Sequence, residues 1–316
     1  MFDFVAIIDI GINPSVFGGL SWHGLFTAIG IAFGVWLSVH LARRSGIPED
    51  DAMGIALVAV PSGIIGARVL WVLEHMDSIN TVGDVFNLPD GGISVYGAMI
   101  GGVLGAFIFV ILFKPNFPKW VALDVAAPGM LLGQAVGRIG DFINGEHFAE
   151  ASNLPWAFRY IHPETDGPWA PFSNGTAGPS ESWVRGEFAP VGYEAVAVHP
   201  VAGAYEPLLC IAILGCLFLF RRFQFSPGWG FIFYVLSYAL VRGTLAILRI
   251  DEQGMFAGLS VPQVLAIVTA GAAVIMGIYL FRKKPEELAV ALPKVPSKRS
   301  RRVPGGSGRG GRSQRR

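Results

Sequence analysis

Four arginines, Arg68, Arg138, Arg242 and Arg249, lie inside or at the ends of strongly apolar stretches. The same stretches carry Glu206, Tyr96, Tyr205, Tyr238, His23 and His199, with Asp124 and Asp141 close by in the chain. A charge in an apolar span is costly, so it must be paired, led to water or put to use. Arginine suits use, because its planar guanidinium stays charged when desolvated and can hold a phosphate with two parallel hydrogen bonds. The chemistry implied is the grip of an anionic group such as a lipid phosphate, with a structural ion-pair network as the competing reading. Arg249 and Asp124 alone read more simply, as a terminal arginine reaching for water and an acid matched by a neighbouring arginine. Metal chemistry is not indicated, since no pair of His or Cys residues has ligand spacing. Cys210 and Cys216, six apart in one apolar run, point away from each other on a helix and predict no disulfide.

The elements that must position these groups follow from composition. The chain has 316 residues, 52% of them hydrophobic and 15% charged, with a mean hydropathy of +0.51, which excludes an ordinary soluble domain. Apolar runs long enough to cross a hydrocarbon core of about 30 Å are expected at 18–42, 52–74, 93–113, 120–140, 201–220, 230–250 and 259–281. The expected class is therefore an all-α polytopic membrane protein of seven transmembrane helices. The opening MFDFVAIIDIGINPSV lacks Lys and Arg and reads as no cleaved signal peptide.

Short-loop basic residues set the orientation. Arg43 and Arg44, Lys114 and Lys119, Arg221 and Arg222, and Arg282 to Lys284 all fall on one side, which predicts an outside N-terminus and a cytoplasmic C-terminus. On that topology Arg68, Arg138 and Arg242 end outward-running spans, while His23, Tyr96, His199, Tyr205 and Glu206 begin inward-running ones. All then gather at outer-leaflet depth. Seven residues separate Arg242 from Arg249, close to two helical turns, so a continuous helix puts both on one face, with Tyr238 one turn below. Gly97, Gly101 and Gly105 form a small-residue ridge for helix packing. Pro61, Pro128, Pro207 and Pro262 are expected to mark kinks.

Two segments are not spans. Residues 141–200, rich in Pro, Gly, Trp and acids, read as a small extracytoplasmic cap, and their Asn174-Gly175-Thr176 sequon is short enough to arise by chance. Beyond Phe281 lie twelve of the 24 Lys and Arg residues but only two of the 23 acids, so a body of charge −9 carries a tail of +10. The domain division is 1–281, a transmembrane catalytic domain including the cap, and 282–316, a basic disordered tail. The tail has the look of an RNA-binding arm, but after the last span it is expected to rest on anionic inner-leaflet lipid, with no nucleic-acid partner.

The most specific string is Gly137-Arg138-Ile139-Gly140-Asp141-Phe142-Ile143-Asn144-Gly145-Glu146. It closely resembles the signature of the prolipoprotein diacylglyceryl transferases, bacterial membrane enzymes that lipidate lipoprotein precursors. Asp124, Pro128 and Gly133-Gln134 lead into it as in that family. Gly66-Ala67-Arg68, Gly91-Gly92-Ile93-Ser94, His199-Pro200 with Tyr205-Glu206, and Tyr238 with Arg242 and Arg249 agree, so the resemblance covers roughly 18–281. It implies transfer of the diacylglyceryl group of phosphatidylglycerol to the thiol of the lipobox cysteine of a prolipoprotein signal peptide. The product is a thioether and the leaving group glycerol 1-phosphate. It implies no cofactor, and a place in the bacterial cell membrane with the active site toward the outer leaflet.

Residue by residue, the resemblance makes Arg138 the first choice for the phosphate and Arg242 the second, with Arg68 and Tyr238 as further lipid contacts. Asn144 and Glu146 would orient the headgroup or shape the turn, and His199, Tyr205, Glu206 and Arg249 are additional candidates. The chain departs from the family form at four points. Tyr96 stands where many members have His, Asp141 where Asn is usual, and His23 where Tyr commonly follows Trp; the segment between His199-Pro200 and Tyr205-Glu206 is one residue longer. The thiol base is therefore open among Tyr96, Asp141 and His23, with Tyr96→Phe expected to be more damaging than His23→Ala. Two other classes compete. A transporter or channel would also use buried arginines, though here they gather on one side; a protease built on Gly92-Ile93-Ser94 lacks a histidine that can be placed beside it.

Overall fold

The apolar runs become helices whose ends are set by recognisable caps. The computed structural model describes residues 8–10, 12, 15–17, 20–74, 76, 79, 81–86, 94–114, 116–144, 149–150, 152–160, 197–223, 226–249, 254–284 and 288. Helix α1 (Trp22–Arg44) begins where the Ser21 hydroxyl accepts from Gly24 N at 3.1 Å, and it ends on Arg43 and Arg44. Helix α2 (Glu49–Glu74) opens with Glu49, Asp50 and Asp51, acids that suit the positive end of a helix dipole. A short α3 (Val82–Phe86) precedes α4 (Val95–Phe113), capped by Ser94. Helix α5 (Lys119–Asn144) runs into the signature string as far as Asn144. A π-helical turn (Val201–Tyr205) leads into α6 (Glu206–Arg221), followed by α7 (Trp229–Leu245) with a 3-10 turn (Ala246–Leu248), and by α8 (Val261–Phe281), whose capping box joins Ser260 and Gln263.

Six of these helical segments are long and apolar enough to cross a membrane: Trp22–Arg44, Glu49–Leu73, Lys119–Ile143, Val201–Arg221, Trp229–Leu248 and Val261–Phe281. Helix α4, 19 residues from Val95 to Phe113, is strongly apolar as well. Their outer surfaces carry Trp36, Leu57, Ile65, Ile275 and Phe281, all more than half exposed. Such apolar surface is stable against lipid and not against water. The chain is a mostly helical, multi-pass membrane protein.

Glycines decide which helices meet. A Cβ added to Gly66 would sit 2.4 Å from the Gly97 carbonyl oxygen, and one on Gly101 2.4 Å from that of Ser62. The expected Gly97, Gly101, Gly105 ridge therefore locks α4 onto α2. A second, unanticipated ridge joins α1 to α5, where a Cβ on Gly30 would meet the Gly133 carbonyl at 2.6 Å and one on Gly129 that of Gly34 at 2.3 Å. The main core lies between α5, α6 and α7, where Ala127, Leu131, Ala135, Cys210, Ile213, Leu217 and Tyr234 form one buried cluster.

Several expectations change in detail. Of the four prolines, Pro262 opens α8, where a missing N–H costs nothing, while Pro61 and Pro128 are helix-internal and Pro207 follows the π turn that leads into α6. Helix α7 stops short of residue 250, and Arg249 is extended (φ −99°, ψ 134°), so the two-turn projection linking it to Arg242 fails. Short strands also join the helices: β1 (Ile8–Ile10), β2 (Ser15–Phe17), β3 (Leu20–Ser21), β4 (Phe158–Tyr160), β5 (Gly254–Phe256) and β6 (Leu259–Ser260). Strand β1 pairs in parallel with β4, β2 with β3 and β5 with β6 antiparallel. Within the 141–200 segment, α5 continues to Asn144, and the described remainder holds β4, a bridge from Phe158 to Val198 and one from Ala149 to Arg249. Cys210 and Cys216 are both free thiols. The sequon and most of the basic tail lie outside the described residues.

Candidate active site

One turn beyond the α5–α6–α7 core, each helix changes from apolar to charged residues on the face it already buries. Ala135 is followed by Arg138, Cys210 is preceded by Glu206, and Tyr234 is followed by Tyr238 and then Arg242. Spacings of three and four residues keep these groups on the packed faces. Glu206, 1% exposed, is their hub. Its Oε1 accepts from Arg138 Nη2 at 2.8 Å and from the Tyr238 hydroxyl at 2.9 Å, while its Oε2 accepts from Arg242 Nη1 at 3.3 Å. Arg138 Nη1 also donates to Asp141 Oδ2, three residues along α5. Asp141 Oδ1 in turn accepts from His23 Nδ1 in the first turn of α1. Two guanidiniums and two carboxylates thus join α1, α5, α6 and α7 at one end of the bundle.

The helix contacts explain why these groups coincide. Gly140 packs directly on the start of α1, where an added Cβ would lie 2.6 Å from His23 Cα, and this close approach sets His23 beside Asp141. Glu206 depends on the π-helical turn, in which Tyr205 N donates to the Pro200 carbonyl at 3.0 Å. A π turn holds one residue more than an α turn, the local form that a segment one residue longer before Tyr205-Glu206 would need. Tyr205 lies beside the hub. Its hydroxyl accepts from Trp156 Nε1 at 2.9 Å and stands 3.4 Å from His199 Nδ1. Trp156 was not singled out by sequence reasoning; nothing but its place in the aromatic 141–200 segment pointed to it.

The remaining candidates are distributed as follows. Arg68 is directed at the carbonyls that end α3, donating to Asp84 O and, at 2.8 Å, to Val85 O, with its guanidinium 4.6 Å from the Trp71 ring centroid. Arg249 is tied by its backbone to Ala149. Tyr96 and Asn144 belong to α4 and α5, but their side chains, and all of Glu146, are outside the described residues. Asp124 takes the plain role expected of it: it faces the charge of Arg221, and it also accepts from Gly228 N at 2.7 Å and Phe231 N at 2.8 Å, tying α5 to the start of α7. Among the described residues no group of three or more His, Cys, Asp or Glu could hold a metal ion.

The sequence profile of the family described as prolipoprotein diacylglyceryl transferase matches residues 15–279. That span includes every helix of the network and all but the last two residues of α8. The chain belongs to this family. Among its relatives are proteins named phosphatidylglycerol–prolipoprotein diacylglyceryl transferase. The one from Clostridioides difficile (strain 630) is 30% identical over 288 residues, covering 91% of this chain and 99% of its own. The one from Acaryochloris marina (strain MBIC 11017) is 31% identical over 274 residues, 84% of this chain and 88% of its own. A third, from Corynebacterium glutamicum (strain ATCC 13032), is 31% identical over 269 residues, 82% and 79% of the two chains. The matched span contains the whole Arg138–Glu206–Arg242 network.

Proposed function

We propose that this chain transfers the diacylglyceryl group of phosphatidylglycerol to the thiol of the lipobox cysteine of prolipoproteins. The observation that carries the reading is the pair of partly buried arginines, Arg138 and Arg242, held by one carboxylate on a bundle that belongs to the diacylglyceryl transferase family. The reaction forms an Sγ–C bond, breaks the C–O bond to the phosphate, and releases glycerol 1-phosphate with that bond's electron pair. The thiol proton goes to a base. A guanidinium has five N–H donors, more than Arg138 spends on Glu206 and Asp141. It can therefore hold the phosphate while keeping its scaffold, and stabilise the charge that grows as the leaving group departs. Glu206 is a positioning residue, fixing the two guanidiniums and the Tyr238 hydroxyl relative to one another. Asn144 and Glu146, at and just past the end of α5, orient the headgroup, and Arg68 and Tyr238 add lipid contacts.

Seven crossings suit this function, with α4 as the shorter seventh, the N-terminus outside and the C-terminus in the cytoplasm of a bacterial cell. That topology places the network at the outer leaflet and the described cap strands outside. It is supported by the one-sided distribution of Arg43, Arg44, Lys114, Lys119, Arg221 and Arg222. Two of these residues are matched by acids at the start of α2: Arg43 with Glu49 at 3.2 Å and Lys114 with Asp51 at 2.5 Å. Incubating the purified protein, phosphatidylglycerol vesicles and a lipobox peptide tests the reading by mass spectrometry. A peptide mass raised by one diacylglyceryl group is expected. Solute flux through the protein in liposomes with no lipid consumed would replace the enzyme with a transporter.

A further inference from the structure

We propose that His23 is the general base that takes the thiol proton, and that Asp141 is the positioning residue that orients its ring. The proposal rests on the transferase reading above and assigns its unassigned proton step. Four observations carry it. His23 and Asp141, 118 residues apart, meet through Nδ1 and Oδ1. The His23 side chain is 29% exposed and that of Asp141 4%, so the ring is reachable while the carboxylate behind it is enclosed. The backbone of His23 is pinned by the close approach of Gly140, and its helix start by Ser21. Finally, the second oxygen of Asp141 is held by Arg138, the residue placed on the phosphate, so base and phosphate grip share one carboxylate.

The chemistry follows from the imidazole. An ionised carboxylate only accepts, so Nδ1–H donates to Asp141 and the lone pair falls on Nε2, at the other edge of the ring. A carboxylate that fixes tautomer and orientation is the arrangement that makes histidine an effective base toward a nucleophile. The step balances: Nε2 takes the thiol proton, the sulfur lone pair forms the bond to the glyceryl carbon, and the C–O pair leaves on glycerol 1-phosphate. The imidazolium then returns its proton to water. A histidine, with a reference pKa of about 6.5, is far better matched to a thiol of about 8.5 than a tyrosine of about 10 is as a tyrosinate. The proposal therefore reverses the ranking that puts Tyr96→Phe above His23→Ala.

The competing role for the pair is to fasten α1 to α5, and the test separates the two. Wild-type protein, His23→Ala and the size-conserving His23→Gln are assayed in phosphatidylglycerol vesicles with a lipobox-cysteine peptide, with and without added imidazole. Both variants are expected to insert and to retain KM for phosphatidylglycerol, while kcat falls about 10²- to 10⁴-fold. Imidazole should restore turnover of His23→Ala in proportion to its concentration, which a packing defect would not allow. Asp141→Asn should lower kcat of the histidine enzyme more than that of imidazole-rescued His23→Ala, because free imidazole needs no orienting carboxylate. Near-wild-type turnover of both His23 variants, or a loss that imidazole leaves untouched, overturns the base assignment. Equal losses from Asp141→Asn in the two backgrounds remove Asp141 from it. Absence of thioether from the wild-type protein would instead remove the transferase reading itself.

Discussion

At Arg138, two carboxylates compete for the guanidinium that an incoming phosphate would need. A buried guanidinium without a counter-charge would be costly, and the resting partners remove that cost without using all the donors. Arg138→Ala should lower transfer by at least about 10²- to 10³-fold with the protein still in the membrane, read by thioether formation and by membrane fractionation. Arg138→Lys should not recover it, because an ammonium cannot reproduce the two-pronged grip on Glu206 and Asp141. Glu206 is the more structural of the pair. Its replacement by Ala leaves Arg138 and Arg242 facing each other in a dry site, a loss of about 3–5 kcal/mol. Thermal unfolding in detergent should show Glu206→Ala to be less stable than Glu206→Gln, which keeps acceptor and shape. This level was the most legible in the sequence: the types of Arg138, Glu206, Tyr238 and Arg242 in apolar spans announced a shared polar centre. That Glu206 is its hub, and that His23 reaches Asp141 across 118 residues, was not legible, because a sequence gives the face of each helix and not which faces meet.

Helices meet here where glycines let backbones touch. The packing face of α4 was readable from Gly97, Gly101 and Gly105, whose four-residue spacing marks a single face, though not that α2 would cover it. The α1–α5 contact needed two separate pairs, Gly30 with Gly133 and Gly34 with Gly129, and no one stretch advertised it. Gly97→Leu should force α4 off α2, since even a Cβ there would lie 2.3 Å from the Gly66 carbonyl. Faster proteolysis and a lowered midpoint of unfolding would register it. Conversely, Gly215→Ala, with nothing within 4 Å of the added carbon, should leave stability unchanged or slightly raised, because alanine is the better helix former. Ends of elements were harder to read. The helix that holds Arg242 gives way to a 3-10 turn and extended backbone before Arg249, and the π turn before Glu206 has no composition of its own to betray it.

For the molecule as a whole, composition was enough to establish a multi-pass helical membrane protein, because surface as apolar as that around Trp36 and Phe281 is compatible only with lipid. The short strands β1 to β6 escaped notice, since two- and three-residue strands carry no periodicity. Charge is divided along the chain: the +10 tail follows α8 in sequence, and Arg138 and Arg242 are matched by acids within the bundle. Removing residues 288–316 should therefore leave transfer within about twofold of the full chain, against the 10²-fold and larger losses expected of groups that hold the reacting phosphate. Transfer requires that phosphatidylglycerol be cleaved and its diacylglyceryl group captured by one thiol. Its most direct measurement quantifies both products in one reaction, lipidated peptide by mass spectrometry and glycerol 1-phosphate enzymatically, with wild-type protein and Arg138→Ala. The wild-type protein should give the two products in a one-to-one ratio, and the variant should give neither. Glycerol phosphate released without thioether, or thioether formed undiminished by Arg138→Ala, would contradict the transferase reading.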